Sequence, residues 1–102
     1  MNARILNASL WVEETDARYL KATLDTLLNQ SGFTILAAPE HNFEPYGYTA
    51  LWLLSESHCA VHTFPEERKA YIEISSCNKD FFDRFIEAVK DTFKIRTWCK
   101  EP

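Results

Sequence analysis

Residues 49–64 read TALWLLSESHCAVHTF, in which a polar Ser-Glu-Ser segment separates two apolar stretches. Residues 50–54 leave no polar face, a pattern typical of a strand that is covered on both sides. Residues 58–64 are also strand-like, and residues 71–76 form a further strand pattern after a polar turn. We therefore predict that antiparallel hairpins form the centre of the fold.

The amino-terminal flank of this centre shows a strand pattern followed by a helix pattern. Residues 6–12 alternate between apolar and polar side chains, as in a strand with one face toward a core. A helix is predicted to begin after Thr15 or Asp16, either of which can cap it, and to end at residues 31–32. The apolar residues of this helix recur at helical spacing: Ala17, Leu20, Leu24, Leu27 and Leu28.

The remaining segments complete the order of elements. Residues 33–38 predict a short strand, and residues 39–47 predict a long loop rich in His, Phe and Tyr. A second amphipathic helix, capped by Asn78 or Asp80, precedes a last strand at residues 95–99. The predicted order is strand, helix, four strands, helix, strand. If one hairpin has been miscounted, three strands rather than four lie between the helices.

These elements predict an α+β fold, a two-layer sandwich with a mostly antiparallel sheet and two helices on one face. Two helices cover only one face of such a sheet. The other face would still carry apolar side chains from residues 50–54, and apolar patches of this kind mark subunit interfaces. We therefore expect a homodimer that associates through the sheets.

The composition limits the class of protein. A chain of 102 residues buries one core but not two, so residues 1–102 are predicted to form a single domain. The net charge of −4 and the absence of a basic run argue against nucleic acid as a partner. No stretch approaches the roughly 18 apolar residues of a membrane span, so no membrane partner is expected and a cytoplasmic location is predicted. Three cysteines without a Cys-X-X-Cys spacing predict reduced thiols.

The densest group of reactive side chains in the sequence contains several possible metal ligands. His58, Cys59, His62 and Cys77 all belong to residue types that bind metals. On a strand, however, His58 and His62 lie about 13 Å apart at roughly 3.3 Å per residue, which one ion with bonds of ~2 Å cannot bridge. No metal site is therefore predicted.

A nucleophilic cysteine is a second hypothesis for the same group. Cys77 or Cys59 would need to lie beside His62 and to have a lowered thiol pKa. The alternative is that the cysteines are inert core thiols and that the histidines fill polar gaps on a sheet. The sequence alone leaves this choice open.

Four short motifs at fixed spacing stand out between residues 41 and 77. They are Pro-Tyr-Gly at 45–47, Ser-Glu-Ser-His at 55–58, Val-His-Thr-Phe-Pro-Glu at 61–66 and Ser-Cys at 76–77. Together they resemble the short bacterial and archaeal form of S-adenosylmethionine decarboxylase, which carries P-Y-G, S-E-S-H, I-H-T-W-P-E and T-C at these spacings. The order of the flanking strands and helices also agrees with that family.

The resemblance implies a pyruvoyl-dependent enzyme that cleaves its own chain. The hydroxyl of Ser57 would attack the carbonyl of Glu56, and a base would then remove the α-proton of Ser57. By the family pattern His62 is this base, which suits an imidazole at neutral pH. Thr49 stands where the family usually has a serine whose hydroxyl assists processing.

The products of this cleavage would be residues 1–56 and residues 57–102, the second beginning with a covalent pyruvoyl group derived from Ser57. The substrate amine would form a Schiff base with the pyruvoyl ketone, which accepts electrons as carbon dioxide leaves. Cys77 matches the residue that donates a proton to the substrate α-carbon in the family.

The same resemblance implies a substrate site. Phe43 and Phe64 would sandwich the adenine of S-adenosylmethionine, and Glu66 would lie near its ribose or sulfonium. The reaction would supply the aminopropyl donor for spermidine synthesis. The family more often has Trp at Phe64 and Gly at Asn78, and some relatives decarboxylate ornithine or arginine, so both remain alternative substrates. An uncleaved, catalytically silent paralogue that acts as an interaction module is the other alternative.

Overall fold

Two helices pack against one face of an antiparallel sheet. The computed structural model describes residues 4–101 of the chain. In chain order the elements are β1 (Leu6–Val12), α1 (Ala17–Ser31), β2 (Ile35–Ala37), β3 (Glu40–Asn42), β4 (Tyr48–Leu54), β5 (Ser57–Phe64), a 3-10 turn (Pro65–Glu67), β6 (Lys69–Ser76), α2 (Lys79–Thr92) and β7 (Ile95–Glu101). In the described range the sheet has seven strands in the order β2-β4-β5-β6-β1-β7, and β3 also pairs with β4. The predicted α+β two-layer sandwich is confirmed.

The core lies between the sheet and the helices. Every second residue of β1 is buried there, as the period-2 pattern predicts, and α1 and α2 contribute the apolar stripes predicted from their spacing. The helix residues of the core include Leu20, Leu24, Leu27, Leu28, Phe82, Phe85, Ile86 and Val89. Burial of these stripes holds both helices on one face of the sheet.

Side chains and one glycine define where the helices begin and end. Asp16 caps α1 by accepting a hydrogen bond from the N–H of Tyr19 at 2.9 Å, and Asn78 caps α2 in the same way. Gly32 ends α1 in the left-handed region at φ 113°. A Cβ atom there would lie 2.6 Å from the ring of Phe81, so glycine is required both for the turn and for the helix packing.

Two predictions about the strands need correction. Residues 33–38 form a strand only at Ile35–Ala37, and the predicted loop contains the additional short strand β3. Five strands rather than four therefore lie between the helices. All three residues of β3 are exposed, so no apolar periodicity marks them, and β3 forms because β4 offers a free edge beyond its pairing with β2.

The face of the sheet opposite the helices, here called the open face, is uncovered in a single chain. On β4, Trp52 and Leu54 point into the core, whereas Leu51 and Leu53 are 47% and 54% exposed. The prediction that both sides of β4 are covered is therefore wrong for one copy of the chain. The predicted apolar side chains on the uncovered face are present.

The helices are short. In residues 4–101, neither α1, with 15 residues, nor α2, with 14, has the length and apolar character needed to cross a membrane.

Candidate active site

The turn between β4 and β5 holds a strained residue at the predicted cleavage position. Leu54 and Ser57 pair at the ends of the two strands, and Glu56 lies between them with φ 64°. A residue other than glycine in this left-handed region costs on the order of 1 to 3 kcal/mol. The Glu56–Ser57 peptide bond therefore directly follows a strained residue.

Cys77 lies beside this turn although it is distant in sequence. β6 ends at Ser76, which pairs with Ser57 across the β5–β6 ladder, so the next residue of the chain reaches the turn. The Cys77 thiol lies 3.6 Å from the carbonyl oxygen of Glu56 and 3.9 Å from its Oε2. The structure thus brings together three of the predicted residues: Glu56, Ser57 and Cys77.

A fourth residue of this cluster was missed as a functional candidate. The hydroxyl of Ser57 donates a hydrogen bond to Oγ of Ser76 at 2.8 Å, and Ser76 is only 1% exposed. The sequence signal was the Ser-Cys pair at 76–77, in which only the cysteine received a role. Strand alternation could have found Ser76, because its side chain points into the same layer as Ser57.

The predicted base and its helper form a second group. Thr49 and His62 are opposite each other in the β4–β5 ladder, and Thr49 Oγ1 lies 2.8 Å from His62 Nδ1. The ring of His62 stacks on Tyr71, with 6.2 Å between centroids and 21° between planes. Burial and a hydrogen bond donated to Glu73 raise the pKa of Tyr71, which therefore remains neutral beside the imidazole.

The two groups are separated within one chain. Ser57 and His62 are five positions apart on β5, so their side chains point to opposite faces of the sheet. At roughly 3.3 Å per residue they are also about 16 Å apart along the strand. His62 therefore does not reach the α-carbon of Ser57 in its own chain.

The predicted substrate residues share the region of the second group. Phe43, Phe64 and Glu66 line a cavity of about 330 Å³ together with Thr49 and His62. These residues come from the loop after β3, from β4 and from the end of β5 and the turn that follows it. The lining also includes Tyr46 and Tyr48, so the cavity combines several aromatic rings with one carboxylate, which suits a flat ligand that carries positive charge.

The two phenylalanine rings of this cavity are at least partly accessible. Phe43 is 50% exposed, and its ring packs against His41 in a T-shaped arrangement with 4.5 Å between centroids. The N–H of Phe43 donates to the carbonyl oxygen of Gly47 at 2.8 Å, so a closed turn holds its backbone. Phe64 packs against Trp11 at 5.7 Å between centroids. Both rings are therefore supported by neighbours without being part of the core.

The alternative based on a nucleophilic Cys59 is not supported. Cys59 is 1% exposed, and burial raises its pKa, so it remains a neutral thiol. Cys59 and His62 are three positions apart on β5 and therefore face opposite sides of the sheet. Cys59 is a core residue, whereas Cys77 is exposed beside the turn.

Metal ligands are not clustered in the part of the chain that the structure describes. Within it, no three His, Cys, Asp or Glu side chains lie close enough to hold one ion. His58 and His62 are separated along β5 as their spacing predicts.

Comparison with known proteins agrees with the fold and with the family resemblance found in the sequence. The family model described as S-adenosylmethionine decarboxylase matches residues 12–100. The fold matches the crystal structure of adenosylmethionine decarboxylase from Aquifex aeolicus with a TM-score of 0.79 and 18% identity, over 99% of this chain and 89% of that one. The architecture is therefore that of a two-layer α+β decarboxylase fold. The chain belongs to the S-adenosylmethionine decarboxylase family.

Two curated relatives show the extent of the sequence similarity. A proenzyme of this name from Parasynechococcus marenigrum is 40% identical over 62 residues, which are 61% of this chain and 48% of the relative. "S-adenosylmethionine decarboxylase proenzyme 2" from Bacillus cereus is 42% identical over 62 residues, 61% of this chain and 50% of the relative. In these comparisons the chain matches about half the length of its curated relatives.

Proposed function

We propose that this protein is a self-processing, pyruvoyl-dependent decarboxylase whose substrate is S-adenosylmethionine. The observation that carries the proposal is the geometry of the turn. The Ser57 hydroxyl adjoins a peptide bond that follows a strained residue, and the Cys77 thiol lies 3.6 Å from the Glu56 carbonyl oxygen. The word proenzyme in the relatives' names supports a precursor that is cleaved.

Processing would begin with an acyl shift in the turn. Oγ of Ser57 forms a bond to the carbonyl carbon of Glu56, the bond from that carbon to the Ser57 nitrogen breaks, and the hydroxyl proton ends on the released amine. An ester replaces the amide. Strain at Glu56 favours this step, because breaking the peptide bond releases the left-handed backbone conformation. The Cys77 thiol can donate to the oxygen that gains negative charge during the attack.

Elimination would then separate the two products. A base removes the α-proton of Ser57, the Cβ–Oγ bond breaks and the carboxylate of Glu56 leaves. The dehydroalanine that remains takes up water and loses ammonia, which gives the pyruvoyl group. Within one chain His62 is on the opposite face of the sheet and about 16 Å away along the strand. We infer that the His62 and Thr49 pair acts on a second copy of the chain.

A homodimer is supported by the open face. Leu51 and Leu53 are half exposed there, and Trp11, Phe64 and Tyr71 form a row of contacting aromatic rings on the same side of the sheet. Exposed apolar side chains of this kind favour association with a second copy. If one protomer's turn lies near its partner's His62, two-fold symmetry creates two equivalent sites.

Turnover would use the same residues after cleavage. The pyruvoyl group supplies a carbonyl that accepts electrons as the substrate carboxylate leaves as carbon dioxide. Cys77 is an exposed thiol in contact with Glu56, and it would donate the proton that completes the product. The cavity lies in the His62 group, so in the dimer Phe43 and Phe64 of the second copy would stack on adenine, and its Glu66 would face the positive charge of the sulfonium.

Removing the thiol should separate processing from turnover. We expect Cys77→Ala to lower decarboxylation per pyruvoyl group by about 100-fold or more, the usual contribution of a positioned acid. Cleavage should continue at a reduced rate, because the thiol contacts the scissile carbonyl without being the nucleophile. The measurement is released carbon dioxide divided by the pyruvoyl content from mass spectrometry. Cys99→Ala, which removes another exposed thiol, is the matched control and should retain activity. Unchanged turnover in Cys77→Ala would contradict the assigned role.

Substrate choice should depend on the aromatic rings of the cavity. Stacking on adenine contributes about 1 to 3 kcal/mol, so Phe64→Ala should raise KM for S-adenosylmethionine roughly 5- to 150-fold. Phe64→Trp keeps an aromatic face and should retain low KM. Tyr19→Ala, a half-exposed ring on α1, is the control and should leave KM unchanged. Assays with ornithine and arginine complete the test, because activity on either without activity on S-adenosylmethionine would overturn the substrate assignment.

A further inference from the structure

We propose that Ser76 is a positioning residue for the acyl shift, because it accepts the hydrogen bond that orients the Ser57 hydroxyl. This inference rests on the proposed self-processing function. The two side chains oppose each other in the β5–β6 ladder, and their Oγ atoms are 2.8 Å apart with Ser57 as donor. A hydrogen bond at this distance fixes the rotation of the Ser57 side chain about its Cα–Cβ bond.

The acceptor is itself held in place from two sides. β6 pairs with β5 on one edge and with β1 on the other, so Ser76 is opposite both Ser57 and Leu6. Its side chain is 1% exposed and has little freedom to rotate away. Ser76 is thus a rigid support for a hydroxyl that lies at the start of its own strand, next to the turn.

The lone pairs of the Ser76 oxygen are also oriented. The backbone N–H of Asn78 donates to Ser76 Oγ at 3.0 Å. Asn78 is in turn the N-cap of α2, where its side chain accepts from the N–H of Phe81. One lone pair of Ser76 is therefore occupied by a group that the helix holds, and the other is available to Ser57.

This arrangement has a direct consequence for the attack on Glu56. When the Ser57 O–H bond points at Ser76, the lone pairs of the Ser57 oxygen point away from Ser76 and are free to form the bond to the carbonyl carbon. Ser76 accepts the hydrogen bond and keeps its own proton, so the balance of the acyl shift is unchanged. Ser76 would accelerate the acyl shift by increasing the fraction of time that the Ser57 hydroxyl spends in a productive orientation.

The neighbouring hydroxyl supplies a matched control. Ser75 precedes Ser76 on β6, and its side chain points to the opposite face of the sheet because strand side chains alternate. Ser75→Ala and Ser76→Ala remove the same group one residue apart, and only the second removes the partner of Ser57. A general effect of serine loss on β6 would appear in both variants.

The test measures the acyl shift by itself. In a His62→Ala background elimination is expected to be blocked, and hydroxylamine cleaves the ester to give a Glu56 hydroxamate and a free Ser57 amine. The hydroxylamine concentration is raised until the cleavage rate no longer increases. Ester formation is then the slow step, so the cleavage rate measures it. Loss of one neutral hydrogen bond predicts a rate about five- to tenfold lower in Ser76→Ala. Ser75→Ala should match the parent.

Two further variants separate positioning from folding. Ser76→Cys fills the same space with a weak acceptor and should also be slow, whereas Ser76→Thr keeps the hydroxyl and should recover most of the parent rate. Thermal melting of each precursor identifies variants that are folded. Ester formation at the parent rate in folded Ser76→Ala or Ser76→Cys would overturn this inference alone. Absence of hydroxylamine cleavage in the His62→Ala parent, together with an uncleaved wild-type chain, would instead overturn the proposed function.

Discussion

Ser57→Ala is expected to abolish cleavage of the chain completely. Alanine has no atom that can form the ester to Glu56, and without the ester neither elimination nor pyruvoyl formation follows. Intact-mass spectrometry should find one chain of 11.9 kDa after long incubation. The wild type should give two fragments that meet between residues 56 and 57. The second fragment should be about 17 Da lighter than simple hydrolysis would give, because ammonia has been lost.

The control for this variant is the other serine of the turn. Ser55→Ala removes a hydroxyl two residues away, and the Glu56–Ser57 bond should still be cleaved. Cleavage that persists in Ser57→Ala would show that another bond is broken or that a contaminating protease is present. A wild-type chain that stays intact would contradict self-processing and favour the interaction-module alternative.

Mixing two inactive variants is expected to restore cleavage. Ser57→Ala retains its histidine, and His62→Ala retains its nucleophile, so a dimer with one copy of each contains one complete site. After the two chains are co-expressed in equal amounts, random pairing should place about half of the His62→Ala chains opposite the other variant. Mass spectrometry should then find about half of these chains cleaved and all Ser57→Ala chains intact.

A double variant provides the matched control for this experiment. A Ser57→Ala, His62→Ala chain co-expressed with His62→Ala supplies no His62, and no cleavage should occur. Cleavage of His62→Ala by itself at the wild-type rate would contradict the role of His62. No recovery in the mixture, with sedimentation showing dimers, would contradict the inference that the histidine acts on a second copy. A monomer in sedimentation would overturn the dimer.

Most helices and strands were predictable because their buried side chains recur at the period of the element, two residues in a strand and 3.6 in a helix. The period-2 pattern of residues 6–12 and the helical spacing from Leu20 to Leu28 reflect burial on one side, which the structure confirms. β3 could not be predicted in this way, because an exposed edge strand has no apolar pattern and depends on the edge of β4. The apolar run of β4 predicted two buried faces, although one chain covers only one of them.

The sequence suggested the residue types of the candidate site but not their arrangement in space. The motifs identified Ser57, Cys77 and His62, but proximity along the chain suggested a single cluster. Strand geometry separates Ser57 from His62, whereas strand pairing brings Cys77 to the turn from a distant part of the sequence. Ser76 was missed because its role depends on a cross-strand partner, which no local pattern indicates.

The order of strands in the sheet determines whether the two products of the proposed cleavage would stay associated. On the proposed cleavage, β1 would belong to the amino-terminal product, yet it lies between β6 and β7, which would belong to the carboxy-terminal product. Three of the five neighbouring pairs in the strand order, β4 with β5, β6 with β1 and β1 with β7, would join one product to the other. The two products would thus be interleaved in the sheet, and neither could leave without breaking the hydrogen-bond ladders on both sides of β1. Cleavage would break one peptide bond but leave both products in one folded unit. The new chain end at residue 57 would stay held in the middle of the sheet.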